Sequence, residues 1–140
     1  MTAPKTECEQ LMNVVLPFAE QTLQKYGGFH PYGAALKTDG EVALVAGYDG
    51  NEHPPSTEII RLINQGFVNS ARLGEYKATA LVYDVTAVLP SSGQTSDAIA
   101  VSLNHRQNYS VVMFFPYRLS EGAVQFGEAF AEAGKADVFV

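Results

Sequence analysis

Apolar side chains recur with the period of an amphipathic helix in two segments of the chain. The first stripe runs through residues 8–26 and the second through residues 59–71, with apolar positions three and four residues apart. Glycines follow both stripes, and glycine easily adopts the left-handed conformation found at helix C-termini. Thr6 and Glu9 have the spacing of a capping box, so we expect the first helix to begin at Thr6.

Strand patterns occupy most of the remaining chain. Residues 34–38 and 41–48 flank Asp39 and Gly40, and an Asp-Gly pair predicts a hairpin with a type I′ turn. Both faces of residues 76–89 are largely apolar, which predicts a strand in the centre of a sheet. Two more strands are predicted after it, at residues 98–104 and 109–117.

The C-terminal part of the chain, residues 123–140, has a mixed pattern. Val124 and Phe126 alternate like a strand, residues 127–134 fit a short helix, and residues 138–140 fit another strand. The order before this tail is α-β-β-α-β-β-β, which predicts a single α+β domain over residues 1–140.

The predicted architecture is a two-layer sandwich, with an antiparallel sheet of about five strands and two helices on one face. The other face of this sheet must then be solvated, covered by the tail or paired with a second copy. Ala98, Ala100 and Ser102 alternate along one strand, so a partner could approach one face closely there.

Composition narrows the classes of function. The chain has 140 residues and a net charge of −6, which disfavours binding to nucleic acids or to anionic membranes. No apolar run is long enough for a membrane helix, and the acidic N-terminal segment does not resemble a secretion signal. One cysteine fits a reducing, cytoplasmic location. Charged residues make up only 17%, which favours a surface partly covered by a second copy, a homodimer.

Three histidines beside turn residues are the first candidates for chemistry: His30, His53 and His105. Their spacing argues against a preformed metal motif, and no cofactor motif is present, so the sequence predicts neither a metal nor a cofactor. His30, Tyr32 and His53 are candidate ligand-binding residues. His53 follows the acidic Asp49 and Glu52, just before the second helix.

Asp84 is the candidate for a functional carboxylate, because it interrupts a largely apolar strand and an unpaired buried carboxylate is costly. It must reach solvent, pair with an arginine such as Arg106 or Arg118, or lie in a cleft with a raised pKa. Asp84, His105 and Arg106 are the catalytic candidates. Cys8 lies on the apolar stripe of the first helix and is expected to be buried.

Several stretches resemble a group of uncharacterised bacterial proteins: residues 29–42, 48–54, 96–106, 116–117 and 126–134. The resemblance covers most of the chain and implies one bacterial domain without implying an activity. In outline, the element order and the GAALKTDG hairpin are also similar to roadblock/longin-like and profilin-like domains. Those scaffolds mostly mediate dimerisation and regulatory contacts, and a shared fold does not establish a function.

Three hypotheses for function follow. The first is a non-enzymatic interaction or regulatory domain that forms a homodimer. The second is a small-molecule-binding protein or enzyme with a site at the sheet edge, formed by these residues: His30, Tyr32, Asp84, His105 and Arg106. The third is an acidic protein that neutralises a basic partner, as immunity proteins do.

Overall fold

The computed structural model describes residues 3–46 and 56–139, and two helices and seven strands lie in these two ranges. In chain order they are α1 (Pro4–Tyr26), β1 (Tyr32–Lys37), β2 (Val42–Ala46), α2 (Ser56–Arg72), β3 (Tyr76–Val88), β4 (Thr95–His105), β5 (Tyr109–Ser120), β6 (Ala123–Phe126) and β7 (Phe130–Ala133).

The strands form one open antiparallel sheet in the order β2-β1-β3-β4-β5-β6, and β7 pairs with β5 beside β6. The α+β class and the antiparallel sheet are therefore confirmed, and β3 is central as predicted. The sheet has seven strands rather than about five because the tail adds two. One of these, β6, matches the predicted alternation. The expectation of a short helix at residues 127–134 is wrong, because Phe130–Ala133 forms strand β7.

The two helices pack on opposite faces of the sheet, and the prediction that both lie on one face is wrong. The buried stripe of α1 contacts one set of β3 side chains, Ala78, Ala80 and Val82. The stripe of α2 packs against Leu81 on the other face. Successive side chains of a strand point to opposite faces, and both faces of β3 are apolar enough to receive a helix.

Helix α1 begins earlier than predicted. Pro4 is its first residue and Ala3 is the N-cap, without a side-chain cap, so the prediction of a capping box at Thr6 is wrong. Proline is favoured in the first turn because its fixed φ suits a helix and its missing N–H needs no partner there. The shifted start places Glu7 in the first turn, where its side chain is buried.

The β1–β2 hairpin is confirmed, but its turn is not type I′. That turn requires a positive φ at both central residues, and in this turn only Gly40, at 94°, has one. The loop is instead closed by bonds from Gly40 N to Lys37 O and from Glu41 N to Asp39 Oδ1. The hairpin nevertheless brings β2 to the edge of the sheet.

The tail covers part of the α2 face. Val138 is buried beside Ile59, Ile63 and Phe67 in the core cluster under α2. Neither of the two described helices combines the length and the apolar character needed to cross a bilayer.

Candidate functional site: the cleft and edge strand at β2

A cleft of about 330 Å³ lies between the C-terminal half of α1 and the β1–β2 hairpin. Its walls are largely apolar and include Phe18, Phe29, His30, Tyr32, Leu44 and Ala46. The structure thus brings together two of the candidate ligand-binding residues, His30 and Tyr32. The third, His53, lies with Asp49 and Glu52 outside the described residues.

Tyr32 is a fixed wall of this cleft. Its hydroxyl donates a hydrogen bond to the Val15 carbonyl of α1 at 2.5 Å, and its ring contacts Phe29 edge to face at 5.9 Å between centroids. Burial raises the pKa of Tyr32 to about 12, so its phenol stays protonated at neutral pH. His30 is exposed at the rim of the cleft. The cleft therefore offers one accessible imidazole and otherwise mainly apolar contacts.

Strand β2 forms one wall of the cleft and is an edge strand, since it pairs only with β1 within the described ranges. Val42 and Leu44 point to the α1 face, and they are 42% and 62% exposed. Phe18 in the cleft wall is 46% exposed, and Val14, one helical turn earlier, is 39% exposed. We call these four residues the β2 patch.

Within the described residues, the β2 edge lacks the usual protection against pairing with another strand. Proteins commonly guard such edges with lysine, proline, a bulge or a covering segment. Residues Val42–Ala46 contain no charged residue and no proline, and their pairing with β1 is regular. An apolar edge strand beside an apolar cleft is suited to contact with another macromolecule.

His105 lies elsewhere, in a buried polar cluster at the far end of β4. Its Nε2 is 3.0 Å from Oε1 of Glu7, whose Oε2 is 2.7 Å from Lys77 Nζ. The backbone N–H of Gln107 donates to His105 Nδ1 at 3.1 Å. Because Nδ1 accepts this hydrogen bond, the ring N–H is on Nε2, which donates a hydrogen bond to Glu7 Oε1.

This arrangement occupies both ring nitrogens of His105, so neither is available to a substrate. Burial raises the pKa of the Glu7 carboxyl, but hydrogen bonds from Lys77 and His105 outweigh burial and hold that pKa below its ordinary value. The cluster links α1 to β3 and β4, so its role is to stabilise the packing of these three elements.

Asp84 reaches solvent and has no arginine partner among the described residues. The Tyr117 hydroxyl donates to Asp84 Oδ1 at 2.8 Å. Partial burial, together with the charge of Asp97, raises the pKa of Asp84 above its ordinary value despite that hydrogen bond. Of the three alternatives for Asp84, exposure to solvent is the one observed, and neither arginine pairs with it: Arg106 follows the far end of β4, and Arg118, next to Tyr117 on β5, points to the opposite face of the sheet.

The five-residue site proposed at the sheet edge does not assemble. Asp84 pairs with Ile99, whereas His105 pairs with Ala78, six residues away on β3. At about 3.3 Å per residue, these positions are about 20 Å apart along the strand. Only His30 and Tyr32 share a cleft.

Neither a reactive thiol nor a metal-binding cluster is found among the described residues. Cys8 is buried, as predicted, and burial followed by the charges of Glu7 and Glu9 raises its pKa to about 12. A thiol with so high a pKa is a poor nucleophile at neutral pH. The described residues contain no group of three or more His, Cys, Asp or Glu arranged to hold a metal ion.

Sequence patterns did not single out Glu7 or Leu44, the residues that define these two regions. A usable signal for Leu44 was the uncharged run Val42–Ala46 in a chain of net charge −6. Comparison with known proteins adds no assignment, because no family model, curated protein or solved structure matches the chain.

Proposed function

We propose that the protein is a non-enzymatic interaction domain that forms a homodimer, in which β2 of one copy adds to β2 of the other. The observation that carries the proposal is the apolar β2 edge, which pairs with no further strand among the described residues, beside the exposed Phe18. Strand addition at a sheet edge is a recurring mode of recognition, since backbone hydrogen bonds provide affinity and side chains provide register.

A two-fold axis makes such an interface self-complementary. Antiparallel pairing centred on Leu44 places Leu44 opposite its own counterpart and Val42 opposite Ala46 of the second copy. All three side chains project from the α1 face of β2, because their partners on β1 are Leu36, Ala34 and Tyr32. The Phe18 side chains can then cover the paired apolar row.

The absence of charge on β2 allows a second copy to bind at this edge even though both copies are acidic. Two copies of net charge −6 repel each other, and the repulsion is weakest where the contact itself carries no charge. Strand β2 carries none. The cores of protein interfaces are likewise depleted in charged residues. A cytoplasmic location is part of the proposal and fits the single buried thiol.

The test is the oligomeric state of the Leu44→Lys variant. In the proposed dimer, two lysines would face each other across the two-fold axis, so the variant is expected to be monomeric. Light scattering coupled to size-exclusion chromatography should give twice the chain mass of 15.1 kDa for the unmodified protein and the chain mass for the variant.

Leu73→Lys is the matched control, because Leu73 is 75% exposed, lies after α2 and is not part of the β2 patch. This variant should remain dimeric. A monomeric unmodified protein at tens of micromolar, or a Leu44→Lys variant that still dimerises, would refute the proposal.

A second candidate function is the binding of a small apolar molecule in the cleft beside β2. The observation in its favour is the cleft volume of about 330 Å³, with His30 and Tyr32 in its lining. Ligand sites typically begin at about 300 Å³. Native mass spectrometry of untagged protein from its own host separates the two candidates. A monomer whose mass exceeds that of the chain supports ligand binding, and a dimer without extra mass supports self-association.

A further inference from the structure

A second concave site lies on the opposite face of the sheet, between α2 and the C-terminal tail. Its volume is about 250 Å³. Leu81 and Val112 form an apolar floor, the hydroxyl-bearing side chains of Tyr83 and Ser102 lie beside it, and Lys135 and Asp137 line the tail side. We call this site the α2–tail groove.

The tail wall of the groove is held at several points. The backbone N–H of Gly134 donates to Ser110 O, and that of Ala136 donates to Ser110 Oγ, each at 3.1 Å. Asn64 of α2 donates to Asp137 Oδ2 at 3.2 Å, and Val138 is buried under α2. The groove is therefore formed before any ligand arrives.

The polar groups in the groove have spare bonding capacity. Neither the Tyr83 nor the Ser102 hydroxyl forms a hydrogen bond with another described residue, and Lys135 forms no ion pair with one. Burial, followed by the charges of Glu132 and Asp137, raises the pKa of Tyr83. Its hydroxyl is therefore a protonated donor at neutral pH.

We propose that the α2–tail groove binds a free α-amino acid with a small aliphatic side chain. The Asp137 carboxylate receives the ligand ammonium, the Lys135 ammonium receives the ligand carboxylate, and the floor formed by Leu81 and Val112 receives the side chain. The Tyr83 and Ser102 hydroxyls supply further hydrogen bonds. Such a ligand carries an ammonium and a carboxylate on one carbon, and the lining of the groove includes one carboxylate and one ammonium, those of Asp137 and Lys135.

The first experiment compares ligands on the unmodified protein. Isothermal titration with L-alanine, L-valine and L-leucine should detect saturable binding of at least one. Isobutylamine, which is valine without its carboxylate, and isovalerate, which is valine without its ammonium, should each bind at least about ten-fold more weakly than L-valine. Equal binding of either analogue, or no binding of the three amino acids at millimolar concentration, would overturn the proposal.

Variants then locate the site. Asp137→Asn and Lys135→Met should each weaken amino-acid binding at least about ten-fold. The controls Glu128→Gln and Lys25→Met remove charges from exposed positions outside the groove and should bind normally. Thermal melts will show that all four variants fold. Unchanged affinity in the two groove variants would place binding elsewhere and refute the assignment.

This inference does not depend on the proposed homodimer. The groove opens on the α2 face, whereas the β2 patch lies on the α1 face. Leu44→Lys should therefore leave amino-acid binding unchanged, and Asp137→Asn should leave the dimer intact.

Discussion

At the scale of single residues, Glu7 has the most consequential position in the described chain. It is 8% exposed, and its two carboxylate oxygens contact His105 and Lys77, which belong to different strands. A buried ion pair adds little net stability when both partners are present, but removing one partner leaves a poorly solvated charge behind. Substitution of Glu7 should therefore lower the stability of the protein by more than the ion pair contributes when both partners are present.

Glu7→Gln is expected to lower the free energy of unfolding by about 2 kcal/mol at neutral pH, since it leaves the Lys77 ammonium without its counter-charge. The carboxyl pKa is lowered in the folded protein, so its stabilisation is complete above the unfolded pKa of about 4.3. That stabilisation is lost as the pH falls through the folded-state pKa. Urea unfolding at several pH values should show the two proteins converging in acid.

Glu9→Gln is the control for this experiment, because Glu9 is exposed on the same helix. It should change the free energy of unfolding little at any pH. A constant difference between the unmodified protein and Glu7→Gln from neutral pH down to strong acid would show that the charge of Glu7 is not responsible.

Sequence could not predict this cluster because its members are distant along the chain. Glu7 and His105 are separated by 98 positions, and only the pairing of β3 with β4 and the packing of α1 bring them together. By contrast, the burial of Cys8 was predictable, because it follows from a local apolar stripe. Local periodicity reports which face of a helix is buried, whereas polar partners depend on the complete topology.

At the scale of elements, the contact of α2 with β1 depends on Gly33. A Cβ atom at this position would lie 2.6 Å from the Ala80 carbonyl oxygen and 2.8 Å from Phe67 Cζ. Gly33→Ala should therefore separate α2 from the sheet and destabilise the protein by about 2 kcal/mol. Thermal or urea unfolding of the purified variant measures this loss.

Gly66→Ala is the control, and its expected effect on stability is opposite to that of Gly33→Ala. Gly66 lies inside α2, and no atom lies within 4 Å of a Cβ built there. The substitution should stabilise the protein by about 0.5–1 kcal/mol, because glycine in a helix interior is less favourable than alanine. If the two alanine variants shift stability in the same direction, the close packing at Gly33 is not the controlling factor.

The helices themselves were predictable, but the faces they occupy were not. The stripe of α2 and its end before Gly74 follow from local periodicity and from glycine, whose φ is 73° here. The choice of face depends on how the connection from β2 to β3 passes over β1. Because Leu81 and Val82 make both faces of β3 apolar, the pattern of β3 is compatible with either arrangement.

At the scale of the whole molecule, the proposed dimer interface and the proposed amino-acid site lie on opposite faces of the sheet. The α1 face carries the β2 patch at one edge of the sheet, and the α2 face carries the groove closed by the tail. Self-association through β2 would extend the sheet without obstructing the groove, so each copy in a dimer keeps its own site.

Self-association through β2 should couple folding to protein concentration. A dimer that exists only in the folded state stabilises that state by mass action, so the melting temperature of the unmodified protein should rise by a few degrees over a hundred-fold increase in concentration. Leu44→Lys removes this coupling, and its melting temperature should be independent of concentration. Leu73→Lys should retain the slope of the unmodified protein. Because the slope depends on association rather than on the intrinsic stability of the chain, a flat profile for the unmodified protein would argue against a dimer even if Leu44→Lys were less stable.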